Sequence, residues 1–177
     1  MAPEVELRAL SRSPETTEDF GERLGAELGP GALVALVGEL GSGKTTLVRG
    51  LGRGLGVRDA LVSPTFTRMR ELAGRLSLYH FDAWRPGSEA LFDEGQELLS
   101  GEGVAVVEWA DRVAAYLPVP RLELTLLHRG EHERELRARV IAGSPGAGPA
   151  ARALERALAA ALARARGAAG LELLERS

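Results

Sequence analysis

The residues best suited to chemistry lie in one run, Gly38-Glu39-Leu40-Gly41-Ser42-Gly43-Lys44-Thr45. Its form is G-x-x-x-x-G-K-[ST], a loop whose glycines let successive backbone N–H groups turn toward a polyphosphate. Gly41, Ser42 and Gly43 would line that cradle, and the N-terminus of the following helix would add the positive end of its dipole. Lys44 would bridge the β- and γ-phosphates, Thr45 would offer its hydroxyl to magnesium, and Thr46 could reach a non-bridging oxygen. Composition sharpens this. Of the 22 basic residues, 21 are arginine, and the one lysine is Lys44. A phosphate cradle takes a slender stem ending in a compact ammonium, which a guanidinium fork cannot supply.

A P-loop enzyme also needs an acid at the end of a neighbouring buried strand, to hold magnesium or its waters. Two positions qualify. Glu108 ends Val104-Ala105-Val106-Val107, whose unbroken apolar character marks a central strand with its first polar residue at the carboxyl edge of the sheet. Asp82 ends the run from Leu76 to Phe81. The sequence does not divide the roles of metal ligand and water activator between them. Thr65, in the turn-like Ser63-Pro64-Thr65, could sense the γ-phosphate as a nucleotide switch does. His80 and Trp109 beside the two acids read as packing residues, and His128 and His132 as solvated flanks of a hairpin turn.

The elements that must position these residues follow from pattern. Val5 to Leu10 alternates as a half-exposed strand, and Ser13-Pro14-Glu15 starts a helix with Phe20, Leu24 and Leu28 on one stripe. Leu33 to Val37 is a short apolar run suited to a strand buried on both faces, and the loop and its helix follow to about Leu55. Phe66 to Leu72 and Leu76 to Phe81 form a hairpin, Ser88 to Leu99 a helix, Gly103 to Trp109 a strand, and Asp111 to Leu117 a short helix. Arg121 to Leu127 and Glu133 to Ile141 make a second hairpin. The fold class is α/β: a P-loop NTPase-like mixed β-sheet flanked by helices. Composition turns to Gly, Pro, Ala and Arg from Gly143, which divides the chain into an ATPase domain over 1–142 and an Ala-rich C-terminal helical extension over 143–177. That extension either packs on the domain or hangs from it, and holds no catalytic motif.

At 177 residues, 45% hydrophobic and 27% charged, the chain has the make-up of one globular domain. With no cysteine it has no disulfide, zinc-thiolate site or thiol catalysis. A net charge of -3 argues against a surface devoted to nucleic acid, so any RNA contact is local or through a partner, and neither DNA nor membrane is an expected partner. No run approaches a membrane span, and the expected location is cytoplasmic.

Four pieces, in order and spacing, resemble one bacterial family: residues 38–46, then Ser63-Pro64-Thr65-Phe66-Thr67, then Tyr79-His80-Phe81-Asp82, then Gly103 through Glu108-Trp109. That family is the small ATPase needed for threonylcarbamoyladenosine formation on tRNA, called TsaE or YjeE, and the resemblance covers about Glu4 to Ile141. It implies an ATP- and Mg2+-dependent hydrolase that joins two partners, a tRNA threonylcarbamoyl transferase and its inactive paralogue, and drives their cycle. It implies Lys44 on phosphate, Thr45 and Glu108 at magnesium, Thr65 in a switch-like loop, Asp82 near the hydrolytic water, and adenine contacts from the region of Thr16 and from Arg134. The family usually has tyrosine where Trp84 stands, and nothing about the extension is inherited. The alternatives are a small-molecule kinase, which would normally carry an arginine-rich lid, and a GTPase. The guanine-reading Asn/Thr-Lys-x-Asp motif cannot exist in a chain whose single lysine is Lys44.

Overall fold

The computed structural model describes residues 7–61, 68–94, 96–99, 101–143, 148–165 and 170–174. The strands are β1 (Leu7–Ser11), β2 (Leu33–Val37), β3 (Met69–Leu72), β4 (Leu78–Asp82), β5 (Val104–Glu108), β6 (Arg121–His128), β7 (Arg134–Ile141) and β8 (Leu171–Leu174). The helices are α1 (Pro14–Glu27), α2 (Lys44–Gly54), α3 (Glu89–Glu94), α4 (Gln96–Leu99) and α5 (Pro149–Ala165). The strands form one sheet in the order β3-β4-β5-β2-β6-β7-β1-β8. Neighbours from β4 to β6 are parallel, while β3, β7, β1 and β8 join antiparallel.

Both faces of the central strands are covered, which is why β2 and β5 are apolar throughout. Val34, Leu36, Val104 and Val106 meet α1 and α2 on one face, while Leu33, Ala35, Ala105 and Val107 meet Phe92, Leu99 and Val113 on the other. Toward β7 the pattern becomes alternating: Leu122, Leu124 and Leu126 of β6 are buried, with Glu123, Thr125 and Leu127 between them only half-buried. β7 places Leu136 and Ala138 in the core and Glu135 on the opposite face, where Arg8, Arg129 and Arg137 surround its carboxylate.

α1 begins as its sequence requires, with Ser13 as N-cap accepting the amide of Thr16 and Pro14 in the first turn. It packs on α2 through glycines from both helices. A Cβ on Gly21 would lie 2.5 Å from the Leu47 carbonyl oxygen, and Gly25, Gly50 and Gly54 abut partner backbone as closely. This seam sets α2, and with it the loop at its N-terminus, against the sheet.

Several sequence expectations need correction. The helix expected over 88–99 is helical over Glu89–Glu94 and Gln96–Leu99, whereas the helix over 111–117 is a pair of 3-10 turns, Ala110–Arg112 and Ala114–Tyr116. The strand begun at Phe66 is described only from Met69, and Thr65 with its Ser-Pro turn lies outside the described residues. Of the two arrangements left open for the segment from 143, the structure shows the packed one. Leu154, Leu158 and Leu162 of α5 share a core with Phe20 and Leu24 of α1, and β8 adds a strand to the edge of β1. The strand was hidden because Leu171-Glu172-Leu173-Leu174 is made of good helix formers; the free backbone edge of β1 overrides that preference.

Candidate functional site

β2 ends at Val37 and the chain turns through Gly38 to Gly43 into α2. Gly43 is the N-cap of α2 in the left-handed region, φ 99°, and has no side chain with which to cap the first-turn amides. Those amides are left for a ligand. Gly41 is also left-handed, φ 73°. A cavity of about 430 Å3 opens here, lined by Leu40 to Thr46, Asp82, Trp84, Glu108 and Trp109. A larger cavity of about 660 Å3, lined by Leu28, Pro118, Leu154 and Arg156 among others, holds none of the candidate residues. Size does not mark the site; the donor set does.

The cavity unites most of the residues singled out from sequence. Lys44, 4% exposed, donates from Nζ to the carbonyls of Gly38 (2.7 Å) and Glu39 (2.8 Å), and sits 3.6 Å from the centre of the Trp109 ring. Burial lowers the pKa of Lys44, opposed by the charges of Glu108, Asp111 and Asp82. The Thr45 hydroxyl donates to the Glu108 carboxylate, 3.1 and 3.2 Å from its two oxygens. Asp82 and Glu108 are register partners at the ends of adjacent parallel strands, and both are buried. The Asp82 carboxylate accepts the Trp84 amide at 2.9 Å. Thr46 lines the cavity and accepts from Arg49 at 3.3 Å.

The two residues expected near an adenine ring, Thr16 and Arg134, make the following contacts. Thr16 is buried, its hydroxyl paired with Ser13, and Gly170 at the start of β8 lies so close that an added Cβ would be 3.4 Å from the Thr16 Cβ and nearer still to its hydroxyl. Arg134 points at the outer side of the loop, donating to the carbonyls of Ser42 (3.1 Å) and Gly41 (3.2 Å).

Three residues carry more than the packing or exchange assigned to them from sequence. His80 is fully buried, its Nε2 2.8 Å from a Glu108 oxygen, while its Nδ1 has no partner. A carboxylate only accepts, so Nε2 carries the proton and the imidazole fixes the Glu108 rotamer. The signal was two-residue alternation, which puts His80 on the face that Asp82 shares. Trp109 adopts a left-handed backbone, φ 59°, immediately after β5, which swings its ring over Lys44. Trp84 packs on Trp109 with ring centres 4.4 Å apart, and Arg112 stacks on Trp84 at 4.1 Å.

Chemically, the arrangement can take a polyanion on backbone amides and one ammonium, beside a hydroxyl and a carboxylate suited to a hard cation. Among the described residues, no group of three or more His, Cys, Asp or Glu could hold a metal unaided. One carboxylate and one hydroxyl fit Mg2+, which binds few protein groups and completes its shell with phosphate and water. Also among the described residues, no helix is long and apolar enough to cross a membrane.

Comparison with known proteins agrees with this geometry. Residues 11–136 match the family model described as threonylcarbamoyl adenosine biosynthesis protein TsaE. The chain is similar to the tRNA threonylcarbamoyladenosine biosynthesis protein TsaE of Treponema pallidum, 42% identical over 132 residues that make up 73% of this chain and 98% of that protein. Its likeness to the Bacillus subtilis protein of the same name is 37% identity over 74% of this chain and 84% of the relative. Among solved structures it resembles the crystal structure of Bacillus subtilis YdiB, with a TM-score of 0.74 and 31% identity over 90% of this chain and 97% of that one.

Proposed function

The chain belongs to the TsaE family, and from that premise we propose that it is a Mg2+-dependent ATP hydrolase that assists threonylcarbamoyladenosine formation on tRNA. The observation that carries the reading is the Thr45 hydroxyl set against the Glu108 carboxylate, at 3.1 Å, directly beneath the loop that holds Lys44. In this proposal the P-loop amides and Lys44 bind the triphosphate, and Thr45 and Glu108 hold magnesium. When bound, the ion neutralises charge on the phosphate oxygens. His80 keeps the Glu108 carboxylate aimed at Thr45. Asp82 orients the attacking water and accepts its proton. To reach a phosphate, Lys44 must leave the Gly38 and Glu39 carbonyls, and the charges of Glu108 and Asp82 help keep it protonated as it moves.

The proposed partners are a tRNA threonylcarbamoyl transferase and its inactive paralogue, with tRNA reached locally or through them. The test is affinity capture from the source cell in ATP and in ADP, with identification of the bound proteins. Nucleotide-dependent recovery of both partners is expected. Recovery of neither, together with transfer of phosphate to a small-molecule acceptor, overturns the reading in favour of a kinase.

A further inference from the structure

Turning the amides of a P-loop inward leaves its carbonyls pointing outward, and those carbonyls need partners. In this chain they divide between two cations. Lys44 takes Gly38 and Glu39, and must give them up to bind phosphate. Arg134 takes Gly41 and Ser42, at 3.2 and 3.1 Å. The rest of its guanidinium is spent on the β6–β7 turn: one terminal nitrogen donates to the carbonyls of Glu133 (2.8 Å), Gly130 (3.0 Å) and Glu131 (3.3 Å). All three nitrogens are thus directed at backbone carbonyls. The same turn reaches the loop a second time, with His128 Nε2 3.4 Å from the Leu40 carbonyl.

We infer that Arg134 is a positioning residue for the phosphate site, locking the P-loop backbone to the β6–β7 turn so that the uncapped amides at the N-terminus of α2 keep their aim when Lys44 moves. A guanidinium is the side chain that can do so, because its planar fork fixes three donor nitrogens toward two backbone segments at once; an ammonium offers three donors from a single point. The inference rests on the proposed phosphate site and deepens it.

The two roles part on a ligand with no base. Binding of Mg2+-ATP and of Mg2+-tripolyphosphate should be measured by calorimetry for the wild type, Arg134→Lys and Arg134→Ala, with circular dichroism confirming each fold. Arg139→Ala, an exposed change on the same strand, controls for general weakening of β7. The expected result is a loss of about tenfold for both ligands in both Arg134 variants, and no loss in the control. Sub-denaturing guanidinium chloride should restore part of the Arg134→Ala loss where potassium chloride of equal ionic strength does not, a recovery that a merely misfolded loop would not show. Loss for ATP with tripolyphosphate unchanged overturns the inference in favour of a base or ribose contact. Unchanged affinity for both ligands overturns it as well. If the wild type binds neither, the phosphate-site reading itself falls and takes the inference with it.

Discussion

Gly50→Ala tests the seam that seats the P-loop helix. Gly50 is internal to α2, so on propensity alone alanine should stabilise the helix by about 1 kcal/mol. The packing says otherwise. A Cβ there would lie 2.9 Å from both the Glu18 carbonyl carbon and the Glu22 nitrogen, and closer to the Glu18 oxygen, and all three atoms are backbone. No side chain can rotate away, so the helices must part by something near ~1 Å, loosening contacts along Gly21, Gly25 and Gly54. Overpacking of this kind costs roughly 1–3 kcal/mol, with rigid obstacles at the upper end. The expected net change is therefore a destabilisation of about 1–2 kcal/mol, a fall in Tm of roughly 2–8 °C for a chain of this size. Because α2 begins with Lys44 and Thr45, affinity for Mg2+-ATP should fall with it. Urea unfolding followed by circular dichroism, alongside calorimetric titration, measures both. A variant more stable by about 1 kcal/mol with unchanged affinity would refute the close-packed seam and its part in placing the loop.

Four other changes follow from particular contacts. Glu108→Gln keeps shape but removes a buried charge, so it should weaken the Mg2+ dependence of ATP binding and slow turnover on the order of a hundredfold, whereas Asp82→Asn should chiefly slow turnover; magnesium titrations with single-turnover hydrolysis decide, and the reverse pattern exchanges their roles. Glu135 is pulled to a pKa of about 2: burial alone would raise it, but hydrogen bonds from Arg137, Arg129 and Arg8 outweigh that. A carboxyl depressed in the folded state stabilises fully above its unfolded value and loses the contribution as pH falls through the interval from 4.5 to about 2. Allowing for screening of the partly exposed arginines, Glu135→Gln should cost about 1–2 kcal/mol at neutral pH and nothing once Glu135 itself is protonated, as denaturant unfolding across that range would show. Deleting 143–177 should leave the phosphate-site residues in place but lower Tm, since it uncovers Phe20 and Leu24; an unchanged Tm would mean that α5 contributes nothing to the core.

What could be read from sequence was local. The P-loop announces itself because its chemistry is contiguous, and β2 and β5 are legible because strands covered on both faces must be apolar without interruption. Ser13 marks the start of α1 because its hydroxyl acts on a neighbour three residues away. The remainder depends on pairings between distant segments. His80 bonds Glu108 only because β4 and β5 lie side by side in that register, and Arg134 meets Ser42 across 92 positions of chain. Trp109 needed its left-handed backbone to be seen over Lys44. The docking of α5 and the pairing of β8 are likewise tertiary, set by an open face on α1 and an open edge on β1.

Whether this loop hydrolyses ATP is read from phosphate release from Mg2+-ATP by the wild type and Lys44→Ala, each with the proposed partners present. Lys44 is the only lysine and the only side-chain ammonium at the loop. Removing it leaves the phosphate charge uncompensated in a buried site. Hydrolysis by the wild type, dependent on magnesium, and none above background by a folded Lys44→Ala is the expected result. Hydrolysis by that variant at the wild-type rate would contradict it.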